Sequence, residues 1–357
     1  MASLRILAQD QAALQEHLHN LLTPYDSVQI FVLCDENSRR HCLPTLASLH
    51  PAFCQEARMV CLPAGDEHKN IASLSQVWQA LSEGGATRKA LLINVGGGMI
   101  SDLGGFAAAT FKRGIDFINI PTTLLSCVDA ALGGKTGINF NGLKNEVGAF
   151  YPAKAVVIHT PFFQTLDYAN RCSGYGEMLK HGLLSSKEHW NEVLSLDVND
   201  CQSEAFGQAV LHSMMVKEQI VQEDPKEQGL RKALNVGHTF AHAFESLSHR
   251  RQEPVLHGHA VAWGLICELY LSAKRLHFPH ARLQEAIYCI KELYSAFHFT
   301  CDDYPFLIEA MHHDKKNSDH NIRFALLSDV GKIHLDESAD EKLIEESLDF
   351  YRDVFGI

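Results

Sequence analysis

The sequence predicts an α/β amino-terminal domain built on a Rossmann-like parallel sheet, followed by a mostly α-helical metal-binding domain. Three observations predict it. Short, continuously apolar runs alternate with polar stretches of helical spacing through the first half. One of those runs closes on Gly96, Gly97 and Gly98, which open a helix. After about Thr160 long helical periods take over, and histidines gather between Asn235 and His259. Strands that are apolar throughout, rather than alternating, belong to a parallel sheet covered on both faces.

Taken in order, Val28 to Leu33 is the first strand and ends at Cys34-Asp35-Glu36-Asn37. Arg58 to Leu62 is the second, closing on Pro63-Ala64-Gly65. Ile71 to Leu81 has helical spacing. Ala90 to Val95 is the third strand and runs into the glycine turn. Asp116 to Ile120 is the fourth, before Pro121-Thr122-Thr123. Ala155 to Ile158 is the fifth. Residues 1–160 are therefore read as one domain and residues 161–357 as the other.

Composition bounds the function. A chain of 357 residues suits two domains and buries a core easily. Apolar residues make up 46 % and charged ones 21 %, as in ordinary globular proteins. The net charge of -12 argues against nucleic acid, whose binding needs a basic face. It leaves room for an anionic small molecule held by a local cluster of lysines and arginines. The 10 cysteines include no CxxC pair and read as free thiols of a reducing cytoplasm. There is no charged-then-apolar leader and no apolar run of membrane-spanning length. The expectation is a cytoplasmic chain without nucleic-acid or membrane partners.

The strand, the glycine turn Gly96 to Asp102 and the helix after it form a phosphate-binding arrangement. Glycines let backbone approach a pyrophosphate, and a helix start offers free N–H donors. A tight turn needing glycine is the alternative. Asp35 and Asn37, at the end of the first strand, stand where an acidic side chain binds ribose hydroxyls; a helix cap is the alternative. Further on, Gly133, Gly134 and Lys135 fall together, followed by Lys144 and Asn145. Glycine-flanked lysines at loop tips hold phosphates as point charges, or are simply solvated.

His238 and His242 are four apart and share one helix face. His257 and His259 follow after the break at Pro254, and Glu177 and Lys180 lie upstream. A carboxylate brought together with imidazoles makes a divalent-metal site of the zinc type. Two surface histidines are the alternative. Against it, Val236, Phe240, Ala243, Phe244 and Leu247 make that helix apolar, and a buried histidine pair needs a partner. Glu227 and Arg231 are also four apart, and a surface ion pair is the alternative to a site there.

In these motifs the chain resembles the 3-dehydroquinate synthases of the sugar-phosphate cyclase family. The resemblance rests on Gly96 to Asp102, Phe111 to Gly114, Pro121 to Asp129, Gly133 to Thr136, Gly142 to Asn145, Gly174 to Gly182, Leu234 to His242, His257 to Gly264 and Asp314-Lys315-Lys316. It implies a nucleotide-binding first domain, a helical metal-binding second domain, and NAD with zinc or cobalt as cofactors. By motif, Glu177, His238 and His257 become the metal ligands and His242 a proton-transfer residue beside them. Asp35, Asn37, Asp66, Lys69, Gly97, Gly98, Met99, Ile100, Ser101, Asp102, Thr122, Thr123, Lys135, Lys144, Phe162 and Thr165 would line NAD. Arg113, Asp129, Lys135, Asn145, Lys180, Lys217, Glu227, Arg231, Asn235 and Lys315 or Lys316 would surround the substrate.

The implied reaction converts 3-deoxy-D-arabino-heptulosonate 7-phosphate to 3-dehydroquinate and phosphate, in the shikimate pathway to aromatic amino acids. It runs by transient oxidation at C5, phosphate elimination, re-reduction and internal aldol closure, with NAD as a temporary electron sink. A homodimer is the expected assembly. Three positions depart from the family pattern: Asp66 replaces the usual glutamate, His259 the glutamate of His-Gly-Glu, and Ala241 a glycine. Rival readings are another cyclase making valiolone- or inosose-type rings, a metal-dependent polyol dehydrogenase of the glycerol dehydrogenase type, and a catalytically inert NAD-binding relative.

Overall fold

The computed structural model describes residues 4–225, 227, 229–312 and 322–357. The chain forms two compact units, residues 1–171 with 199–214, and residues 172–198 with 215–357. The expected change of pattern near Thr160 precedes that division. The segment Thr160–Thr165 still belongs to the first unit, because Phe162 is buried in its core.

The first unit contains β1 (Leu4–Leu7), β2 (Ile30–Asp35), β3 (Met59–Leu62), β4 (Leu91–Gly96), β5 (Asp116–Pro121), β6 (Lys135–Phe140), β7 (Leu143–Phe150) and β8 (Ala155–Ile158). Six of them form one parallel sheet in the order β1-β8-β5-β4-β2-β3. Its central strands are buried along their length, which is why they read as unbroken apolar runs. The helices are α1 (Gln11–Leu22), α2 (Glu36–His41), α3 (Leu43–Leu49), α4 (Ile71–Glu83) and α5 (Gly98–Thr110). Asp10 starts α1 by accepting from Ala13 N at 2.8 Å, and Leu14, Leu18 and Leu22 turn one face inward. Asn70 starts α4 by accepting from Ala72 N and Ser73 N, each at 3.0 Å. The chain order reverses between β2 and β4. Such a switch point opens a ligand crevice at the carboxyl ends of the two strands.

The second unit is mostly helical. Its elements are α6 (Tyr168–Leu184), which belongs here from Cys172 on, and α7 (Lys187–Leu194), then α8 (Glu204–Glu223), whose second half belongs here. There follow α9 (His238–Arg250), α10 (His257–Leu276), α11 (His280–Leu293), α12 (Tyr304–His312), β9 (Arg323–Asp329), β10 (Lys332–Ser338) and α13 (Glu341–Phe355). Phe244 centres its aromatic core, with ring centroids 5.5, 5.4 and 5.7 Å from Phe297, Phe299 and Tyr351. The Tyr351 hydroxyl accepts from Phe297 N at 2.8 Å, so its polar end is satisfied inside that core.

Three features differ from the sequence reading. β1 is a strand, pairing parallel with β8. Lys135 and Lys144, expected at loop tips, lie on the antiparallel hairpin β6–β7, which turns at Asn141-Gly142 with φ of 51° and 79°. A second hairpin, β9–β10, lies inside the helical unit. No helix among the described residues is long and apolar enough to cross a membrane.

Candidate active site

Three helices of the second unit supply the metal-type cluster: α6 carries Glu177, α9 opens on His238 and α10 opens on His257. Backbone contacts bring them together. A Cβ added to Gly258 would lie 1.6 Å from Ser173 O, and one added to Gly264 would lie 2.0 Å from Gly237 O. Only hydrogen fits at either place, so α10 meets α6 at its start and the start of α9 about two turns later.

Glu177 Oε1 lies 3.4 Å from His238 Nε2 and 3.3 Å from His257 Nε2. Ligand atoms on a tetrahedron with bonds of about 2.0–2.1 Å stand about 3.3 Å apart, so this spacing fits a shared zinc-type ion. Glu177 is fully buried, and neither carboxylate oxygen accepts an aligned hydrogen bond. Both rings are held from behind. His238 Nδ1 lies 3.2 Å from Val236 O, and His257 Nδ1 lies 3.2 Å from Glu245 Oε1. An acceptor on Nδ1 turns Nε2 toward a metal, the usual way a protein orients such ligands.

Charge follows the same plan. Burial alone would raise the Glu177 carboxyl, but the Lys180 ammonium, paired with Oε2, and the two imidazoles hold it well below the carboxylate range. Burial, then the Lys180 charge, pushes His238 down to about 4 and keeps it neutral. Burial also works against a proton on His257, yet Glu177 and Glu245 outweigh it and raise the group to about 10. A cation bound there would take the place of that proton.

His242 lies one turn along α9, its ring 5.6 Å from that of His238 and 6.5 Å from that of His257. It stands beside the cluster whose ligand atoms converge, not within it. His259 packs edge-on against Trp263 and Tyr294, at 6.0 and 5.1 Å between centroids. The spare imidazole is therefore part of an aromatic pocket. Lys217 is buried on α8. Arg231 is also buried, donating from Nη1 to Pro225 O at 2.9 Å and from its backbone N to Asp224 Oδ2 at 3.1 Å, so it is no surface group. Asn235 Nδ2 donates to Glu227 Oε1 at 3.5 Å. Asp314, Lys315 and Lys316 lie outside the described residues. Glu245 escaped the sequence reading, although it lies seven residues beyond His238 on the same helix face.

In the first unit, Asp35 stands at the carboxyl end of β2 and Gly96 to Gly98 at that of β4. α5 begins at Gly98 with Gly97 as its cap and no side chain closing the first turn, so its N–H groups suit a pyrophosphate. Thr122 N donates to Gly96 O at 2.9 Å, holding the end of β5 beside the turn. Asp35 Oδ1 caps α2 by accepting from Ser38 N at 2.7 Å; the cap is thus present, and Asn37 is exposed one residue before Ser38. Lys69 is buried between Asp102 Oδ2, at 2.5 Å, and Asn145 Oδ1. Asp66 lies 3.9 Å from Lys144 Nζ. Phe162 is buried, and the Thr165 hydroxyl donates to Phe162 O at 2.7 Å. Arg113, with φ of 67°, and Lys135 are exposed; Asp129 is half-buried. Lys135 begins β6 instead of sitting at a loop tip.

Residues 59–172 match the family model described as 3-dehydroquinate synthase N-terminal, and residues 174–317 match 3-dehydroquinate synthase C-terminal. The chain belongs to the 3-dehydroquinate synthase family. A 3-dehydroquinate synthase of Parabacteroides distasonis is 53 % identical over 344 residues, which is 96 % of this chain and 97 % of that relative. Two solved structures share the fold. One is 2-epi-5-epi-valiolone synthase from Streptomyces hygroscopicus with NAD+ and Zn2+ bound, at TM-score 0.86 and 23 % identity, covering 99 % of this chain and 97 % of that one. The other is 2-deoxy-scyllo-inosose synthase complexed with carbaglucose-6-phosphate, NAD+ and Co2+, at TM-score 0.77 and 22 % identity, covering 96 % and 95 %.

Proposed function

We infer that the chain catalyses the 3-dehydroquinate synthase reaction, converting 3-deoxy-D-arabino-heptulosonate 7-phosphate to 3-dehydroquinate and phosphate. Such a carbon–oxygen lyase serves the shikimate pathway to aromatic amino acids. The observation that carries the reading is the cluster of Glu177, His238 and His257, its carboxylate fully buried with Lys180 against it, in a chain of this family.

When bound, NAD supplies a temporary hydride acceptor, and the zinc or cobalt ion supplies a Lewis acid for the substrate hydroxyls. Glu177, His238 and His257 would hold the ion, and with their one negative charge the occupied site would stay positive toward an anionic substrate. His242, one turn from His238, accepts the proton of the hydroxyl that is oxidised. Lys180, Lys217 and Arg231 set cationic charge against the substrate carboxylate and phosphate, with the arginine suited to a bidentate contact. Glu227 and Asn235, joined to each other, orient substrate hydroxyls. Arg113, Asp129, Lys135, Asn145 and one of Lys315 and Lys316 are assigned to the same substrate on the family resemblance. In the first unit, the N–H groups of Gly97 to Asp102 would receive the pyrophosphate of NAD, and Asp35 its ribose. Asn37, Asp66, Lys69, Thr122, Thr123, Lys135, Lys144, Phe162 and Thr165 complete the cofactor's surroundings. We also propose a homodimer, supported by the exposed Phe140, Leu143, Val147 and Phe150 of the β6–β7 hairpin, and a cytoplasmic location, supported by the free thiols. Light scattering and cell fractionation test these two.

The deciding assay supplies the heptulosonate phosphate, NAD and zinc. Phosphate and 3-dehydroquinate should form in equal amounts, with no accumulation of NADH. Accumulating NADH without phosphate release would instead mark a polyol dehydrogenase. His238→Ala should lose metal and turnover together; a metal-replete, active variant refutes the site.

A further inference from the structure

Glu268 is a buried carboxylate that the proposed reaction does not use. It lies on α10, about three turns beyond His257. Its Oε2 accepts from Gly237 N at 2.7 Å, and its Oε1 accepts from Thr239 N at 3.1 Å. These two donors flank His238. α9 begins at His238, and its cap, Gly237, has no side chain to close the first turn. Helix starts ordinarily obtain that acceptor from their own cap residue, and they favour negative charge there. Here one carboxylate from a neighbouring helix meets both donors. Gly237 itself sits at φ of 84° with its carbonyl pressed against Gly264, so the start of α9 touches α10 twice.

The consequence concerns geometry. His238 and His257 each open a helix, and their Nε2 atoms both face Glu177 Oε1. The distance between the two imidazoles therefore depends on how the start of α9 is seated against α10. We propose that Glu268 is a positioning residue for the metal site, fixing that seat and so the place of the His238 ring. The proposal rests on the metal-site reading given above. A purely stabilising cap would support the fold without governing affinity for the ion.

The test uses the full chain, stripped of metal and titrated with zinc against a chromophoric chelator, well below the melting point of each variant. Glu268→Gln keeps one acceptor oxygen, and Glu268→Ala keeps none. The zinc dissociation constant should rise about tenfold in Glu268→Gln and further, toward about a hundredfold, in Glu268→Ala. Glu268→Asp, too short to reach both donors, should resemble Glu268→Gln. Ile344→Ala, a buried truncation on α13, should melt lower with zinc affinity unchanged. If Glu268→Ala does not fold, the isosteric Glu268→Gln decides. Glu268→Gln binding zinc as tightly as the parent, whatever its melting point, overturns this proposal alone. A parent that takes up no zinc overturns the metal-site reading and the proposal with it.

Discussion

Gly258→Ala adds one methyl group where α6 meets α10, and the metal site should not survive it. The new Cβ would stand 1.6 Å from Ser173 O and 2.5 Å from Ser173 C, both backbone atoms. No rotamer relieves a clash of Cβ with backbone. Moving from 1.6 Å to the 3.4 Å of ordinary contact separates the two segments by about 1.8 Å. Metal ligands tolerate only about 0.2 Å, and a working constellation about 0.5 Å. His257 precedes Gly258, and Glu177 lies one turn beyond Ser173, so the shift falls on the 3.3 Å approach of their ligand atoms. The bond from Gly258 N to Ser173 Oγ, 3.1 Å long, is lost as well. Overpacking of this kind costs about 1–3 kcal/mol. At about 2–4 °C per kcal/mol, a folded variant should melt several degrees lower. Its metal content by mass spectrometry should fall below about a tenth of the parent's. Gly207→Ala is the control. On α8 its Cβ approaches only the Gln9 side chain, at 3.0 Å, and the substitution adds helix propensity of up to about 1 kcal/mol. A Gly258→Ala protein with full metal content and an unchanged melting point would refute the idea that backbone contact positions the ligands.

Other outcomes follow from the same geometry. Glu177→Gln removes the anion from a fully buried pair with Lys180, a change that costs about 3–5 kcal/mol, and should lower both the melting midpoint and the bound metal. Retained metal with unchanged stability would contradict it. Lys69→Met leaves Asp102 and Asn145 without their shared cation, so the KM for NAD should rise more than kcat falls in steady-state assays. An unaltered KM for NAD would remove Lys69 from the cofactor site. His159 is buried and donates from Nδ1 to Ala8 O at 2.7 Å; burial, against that hydrogen bond, holds its pKa below 6.5. Its contribution to stability is complete above about pH 6.5 and is lost as pH falls through the lower folded value. His159→Asn, which can keep the donor without the titration, should flatten the acid side of the melting-versus-pH curve; parallel curves would exclude His159.

The parallel sheet was legible because its central strands are buried on both faces, and burial writes an unbroken apolar run. β1 left no such mark. It is four residues at the sheet edge, with Arg5 inside it and Leu4 exposed. β7 is exposed along most of its length, so neither alternation nor an apolar run betrays it. The one local signal there, Asn141-Gly142 as a turn dipeptide, went unread. Phe324 to Leu327 is a clear apolar run, but it lies among helices with similar content and was absorbed into them. At the proposed site, the histidines between His238 and His259 and the upstream Glu177 were visible as metal-type residues, while the choice of Glu177, His238 and His257 among them came from the family resemblance. What presses against Gly258 and Gly264 was not visible, because a sequence shows a glycine without the carbonyl beside it. Glu268 was hidden for the same reason: its role depends on which helix start lies across from it, and no local spacing encodes that.

The departures from the family pattern fall where the fold absorbs them. His259 is two residues beyond His257, and two positions on a helix point about 200° apart, so both rings cannot face one ion. Trp263 and Tyr294 take up the second ring instead. Asp66 is one methylene shorter than the usual glutamate, yet Asn139 Nδ2 donates to its backbone O at 3.1 Å and to its Oδ2 at 3.2 Å. Asn139 N also donates to Lys69 O at 2.7 Å. The turn from Asp66 to Lys69 is thus tied to the β6–β7 hairpin through one asparagine, which brings its amide to the shorter acid. Ala241 stands where the family uses glycine, on the face of α9 that meets α10. Its N donates to Gly237 O at 3.1 Å, and a Cβ on Gly264 would come within 3.1 Å of that same N. Close approach of two helices needs a missing side chain on one side of the contact only. Gly264 provides it from α10, where a Cβ would stand 2.0 Å from Gly237 O.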